Sequence, residues 1–66
     1  MLGVAVVKGP SMVPTYYEGD RLLVRYGARV RAGDVVLARD PRSPERILVK
    51  RAERREPAGW WLLADN

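Results

Sequence analysis

Apolar positions along the chain come in short runs, each bounded by glycine, proline or aspartate, and no stretch keeps the 3.6-residue period of a helix. The pattern predicts an all-β domain of about five short strands. Leu2 to Lys8, rich in β-branched residues, is the first strand and runs straight into a proline-rich turn. Arg21 to Tyr26 follows Gly19-Asp20, with Leu22, Val24 and Tyr26 on one face and Leu23 and Arg25 on the other. Val35 to Arg39 follows Gly33-Asp34 in the same way, so two similar turn-plus-strand units stand in tandem. Their structural reading is that glycine supplies an unusual φ and aspartate bonds nearby backbone amides. Asp40 to Glu45, with Pro41 and Pro44, reads as a loop, Arg46 to Glu53 as a strand, and Glu56-Pro57-Ala58-Gly59 as the turn into a last strand, Trp60 to Ala64. The expected architecture is a small coiled sheet or partial barrel. Trp60 and Trp61 fall on opposite faces of a regular strand, which points to core packing or, for an exposed ring, a peptide-contact or subunit surface.

A length of 66 residues bounds the chain to one small domain. Such a domain buries only about 60% of its unfolded surface and is marginal alone, so a second chain or further sequence would help complete its core. Without cysteine there is no disulfide and no thiolate; without histidine there is no Ser-His-Asp triad and no imidazole metal ligand. No metal site and no cofactor are expected. The net charge of +4 comes mainly from arginine. Such a balance suits nucleic acid, an acidic membrane or an acidic protein, but the charges are scattered as on a solvated surface, and no nucleic acid is expected. The apolar opening Leu2 to Val7 is far too short to span a bilayer, so nothing in the chain is a membrane anchor. With Met1 as the native start the expectation is a cytoplasmic protein; had an anchor preceded it, a membrane-associated one.

Candidate chemistry centres on Gly9-Pro10-Ser11-Met12-Val13-Pro14-Thr15. Two prolines fix φ on either side of Ser11-Met12, and Gly9 lets the backbone turn sharply. Ser11 is then either an ordinary turn serine or a nucleophile, and a hydroxyl nucleophile needs a base within hydrogen-bond reach. Arginine stays protonated and carboxylates are weak bases, which leaves the two lysines. Lys8 sits at a strand end, hydrated and charged. Lys50 lies within Ile47-Leu48-Val49-Lys50-Arg51-Ala52, on one face with Leu48 and Ala52, where apolar neighbours would favour the neutral amine. The alternative, a solvated lysine on the outer face, stays open, since Ile47 and Val49 are apolar too.

Ser11-Met12-Val13-Pro14-Thr15, then Gly19-Asp20 with its apolar run, then Val49-Lys50-Arg51-Ala52, then Ala64-Asp65-Asn66, resemble in order the boxes of the signal peptidase I superfamily. The resemblance implies a β-rich serine peptidase with Ser11 as nucleophile, Lys50 as general base and the Ser11 backbone N–H as an oxyanion donor. It implies Arg51 and Asp65 as a supporting ion pair, with Gly19 and Asp20 also in supporting positions. Met12 is a candidate for a substrate pocket, or equally for the core. The run Trp60 to Asn66 and the missing anchor are most similar to soluble peptidases that mature nickel-type superoxide dismutase, which implies a precursor polypeptide with an N-terminal leader as partner, nickel belonging to that substrate. Ala64 stands where glycine is usual, and members of the superfamily continue beyond the position of Asn66, so a chain truncated at its C-terminal end is expected. Homo-oligomerisation is left open. Two other readings stand beside this one: a fragment of a membrane-associated type I signal peptidase, and a non-enzymatic basic β module binding nucleic acid.

Overall fold

The short apolar runs pair with their neighbours in space as antiparallel strands, and turn residues set where each begins. The computed structural model describes all 66 residues and contains five strands: β1 (Leu2–Val6), β2 (Arg21–Arg25), β3 (Val35–Asp40), β4 (Ser43–Glu56) and β5 (Gly59–Leu63). The all-β expectation is met. The strands form two antiparallel sheets, β1-β2 and β3-β4-β5, and do not close into a barrel.

The tandem Gly-Asp units have the same local structure. Gly19 and Gly33 sit at φ 92° and 95°, in the left-handed region that side chains resist. Asp20 Oδ2 accepts the Tyr17 N–H and Asp34 Oδ2 accepts the Arg31 N–H, each at 2.9 Å. Each unit then grips one residue of the partner strand on both sides. Gly19 N–H donates to Val7 O while Val7 N–H donates to Asp20 O, and Gly33 N–H donates to Ala52 O while Ala52 N–H donates to Asp34 O. Val7 and Ala52 are two of the three fully buried residues. The repeat is thus a device that pins a small core at two points, one in each sheet.

The third buried residue is Met12, 1% exposed and the largest fully buried side chain. The three buried residues thus stand just past the end of β1, in the proline turn next to Ser11, and on β4. Met12 thus packs in the interior, next to Ser11 in the chain.

β4 begins at Ser43, not at Arg46 as the two prolines suggest. Asp40 Oδ1 accepts the Arg42 N–H at 3.0 Å, so Pro41-Arg42 alone completes the turn. Arg39 pairs with Ile47 and Asp40 with Ser43, so Pro44, Glu45 and Arg46 fall in a bulge with no partner in β3. A proline there breaks no ladder bond. The last strand carries Trp60 half-buried and Trp61 exposed. Opposite faces of a strand imply one exposed ring, and it is that of Trp61, which lies under the Arg54 guanidinium at 5.2 Å, while Arg55 stands 6.0 Å from Trp60.

Candidate active site

Ser11 is presented by a turn whose own bonds leave it room. Gly9 takes φ 77° and its N–H donates to Glu18 Oε1 at 2.9 Å, which fixes the chain as it leaves β1. Val13 N–H closes the turn on Pro10 O at 3.0 Å, and Tyr16 N–H donates to Met12 O at 2.9 Å. The Met12 side chain goes down into the core, and Ser11, half-buried beside it, lines a cleft. The Ser11 N–H has no backbone acceptor in the turn.

Lys50 comes to the same cleft from β4. It pairs with Val36 of β3 and shares a strand face with half-buried Leu48 and fully buried Ala52, which leaves Lys50 half-buried. The cleft, about 540 Å³, has residues from Val6 to Met12 as one wall and Arg46 to Lys50 as the other. Ser11, Met12 and Lys50 are all on its lining, with exposed Lys8 and Arg46 also contributing. No side-chain hydrogen bond joins Ser11 to Lys50. Two other cavities, of about 670 and 1000 Å³, contain neither residue. Functional groups, not size, single out the smaller one.

Behind this cleft a clamp joins the Lys50 strand to the Ser11 turn. Arg51, next to Lys50, makes two bonds to Asp65: Nη2 to Oδ2 at 2.6 Å and Nε to Oδ1 at 3.2 Å. Its Nη1 donates to Gly33 O at 2.9 Å. Thr15 Oγ1 donates to the same Asp65 carboxylate. Asn66 completes the connection, its N–H donating to Ser11 O at 2.9 Å and its Nδ2 to Pro10 O at 3.1 Å. The Arg51 bonds, and after them the Thr15 hydroxyl, hold the Asp65 carboxyl below the usual carboxylate range, while Asp65 raises Arg51 further. Asp65 and Arg51 thus form the expected ion pair, and Gly19 and Asp20 stand apart from the cleft lining, in the clip that holds Val7.

Comparison with known proteins shows the family. The family model described as "Peptidase S24-like" matches residues 1–66. The chain belongs to the Peptidase S24-like family. A relative in Arabidopsis thaliana, named mitochondrial ATP-independent inner membrane protease subunit 1a, is 47% identical over 51 residues, which covers 68% of this chain and 30% of that protein. The chain thus spans about a third of the length of this curated relative. No solved structure matches. Membership of the Peptidase S24-like family supports the wider signal-peptidase-like superfamily to which the sequence boxes point.

Within this Peptidase S24-like chain the geometry adds two residues to those read from sequence. Thr15 belongs to the serine box but was given no role, and Asn66 was read only as the end of the last box. Their signal was chemical: a hydroxyl and a carboxamide adjoining residues that must be held still. What hid them is that Thr15 and Asp65 are separated by 50 positions in the chain.

Proposed function

We propose that the chain carries the nucleophile and the general base of a leader-removing serine peptidase of the signal peptidase type. The observation that carries the reading is the shared cleft: Ser11 and Lys50, the hydroxyl and the amine to which the superfamily resemblance points, line one cavity from opposite walls. Lys50, as the free amine, takes the proton of Ser11 while the oxygen attacks the scissile carbonyl. The tetrahedral oxyanion meets the Ser11 N–H, which is free of turn hydrogen bonds. Collapse expels the amine of the mature polypeptide with a proton from Lys50 and leaves the leader as an acyl-enzyme. Lys50 then activates water to release it. Half-buried Lys50 beside Leu48 and Ala52 suits this exchange, and Arg51, Asp65, Thr15 and Asn66 keep the two walls in register.

The substrate is a precursor with an N-terminal leader. Two sources are supported by different observations. The run Trp60 to Asn66 resembles peptidases that mature nickel-type superoxide dismutase, whereas the Arabidopsis relative is by name an inner membrane protease subunit, which favours a precursor processed at a membrane. No helix of the chain is long and apolar enough to cross a membrane.

The test is incubation with synthetic leader-junction peptides of both kinds, read by the mass of the new N-terminus, with Ser11→Ala and Lys50→Met alongside. Cleavage of either precursor, lost in both variants, is the expected result. Cleavage of neither by the folded protein would overturn the leader-peptidase reading.

A further inference from the structure

The charge of the chain is not spread as its sequence suggests. All eight carboxylates accept a hydrogen bond from the chain itself. Glu18, Asp20, Asp34 and Asp40 accept backbone N–H groups, Glu45 accepts the Ser43 hydroxyl, and Glu53, Glu56 and Asp65 accept arginine. Only Arg51 and Arg54 are thereby paired in salt bridges.

Three unpaired arginines, Arg25, Arg29 and Arg31, line a cleft of about 1000 Å³ at the turn between β2 and β3. Arg25 ends β2, and the other two belong to the turn that Gly27, at φ 75°, allows to fold back. The one acid on the lining is Asp34, whose Oδ2 already accepts the Arg31 N–H. None of the three guanidinium groups takes part in a salt bridge. A guanidinium is a planar fork that binds phosphate oxygens bidentately, and three of them that no salt bridge occupies line this one cleft. Like charges on one cleft repel, and a bound anion relieves that repulsion.

The cleft is also separate from the proposed catalytic one. Leu2 pairs with Arg25 at one end of the β1-β2 ribbon, and Val6 pairs with Arg21 at the other, next to the Ser11 turn. A strand of this length sets the two ends roughly 15 Å apart. We propose that Arg25, Arg29 and Arg31 form a binding site for a phosphate group, distinct from the Ser11 cleft.

Phosphate chemistry reaches a protein as a free anion or as a lipid headgroup, and the experiment separates the two. The full chain is titrated with inorganic phosphate and pyrophosphate by calorimetry, and mixed with sedimenting vesicles of phosphatidylglycerol or phosphatidylcholine. The double variant Arg29→Ala/Arg31→Ala and the control Arg42→Ala, an exposed arginine in another turn, are run alongside, with circular dichroism to establish folding. Binding of the soluble anions, or of phosphatidylglycerol vesicles alone, weakened about tenfold or more in the double variant and nearly unchanged in the control, bears the site out and names the source. Binding lost equally in the control reports net charge only and overturns the site. So does binding of neither probe, or binding of a single-stranded oligonucleotide and nothing else.

Discussion

Asp65 links two elements of the proposed active site. It accepts from Arg51 twice and from Thr15, and so ties the strand of Lys50 to the turn of Ser11. Because those bonds depress its folded-state pKa, its contribution to stability is complete above the unfolded-state value. It is lost as pH falls through the lower, folded-state value. Thermal unfolding of the wild type followed from neutral to strongly acidic pH is therefore expected to show a loss of stability at the acid end that Asp65→Asn lacks. The variant is expected to be less stable than the wild type at neutral pH and to approach it in acid. Equal pH profiles for the two proteins would remove Asp65 from the clamp.

Among the elements, the Gly-Asp clips are the most regular feature. Each aspartate satisfies one backbone N–H and stands beside the two bonds that hold Val7 or Ala52. Asp20→Ala and Asp34→Ala are each expected to cost about 1 kcal/mol in denaturant unfolding, the ordinary net value of one such bond. A large effect of one and none of the other would contradict their equivalence. Gly9→Ala forces a side chain to φ 77° and is expected to cost about 1–2 kcal/mol. These clips were legible in the sequence because glycine and aspartate act on their immediate neighbours, as was the face shared by Leu48, Lys50 and Ala52, which follows from alternation. The early start of β4 was not, since Pro44 reads as a breaker until the register shows that it stands in a bulge. Alternation likewise put the two tryptophans on opposite faces and left open which ring is exposed, because it does not say which face a neighbouring strand covers.

The whole molecule has little interior. Only Val7, Met12 and Ala52 are fully buried, while Leu2, Val4, Val6 and Leu23 stand exposed on one face of the β1-β2 ribbon. A chain of this size has a total stability of roughly 3–10 kcal/mol, and removing a large buried side chain costs about 2–5. Met12→Ala is accordingly expected to lower the unfolding midpoint sharply or leave the chain unfolded at 25 °C, as circular dichroism would show. Retention of a cooperative transition at the wild-type midpoint would mean that the core lies elsewhere. The fold serves the site through Met12, buried next to Ser11 in the chain, and through the bonds from Arg51 to Asn66 that tie β4 to the Ser11 turn.

The central claim is that Ser11 is activated by Lys50, and the reactivity of Ser11 tests it without any assumption about substrate. The chain contains one other serine, Ser43, bonded to Glu45 and not on the cleft lining, which serves as an internal control. Intact-mass and peptide mapping after exposure to a serine-directed fluorophosphonate would be compared for the wild type, Ser11→Ala and Lys50→Met, each shown to be folded. The account predicts one adduct, on Ser11, absent from both variants. An adduct on Ser43, or labelling of Ser11 at an undiminished rate in Lys50→Met, would contradict it.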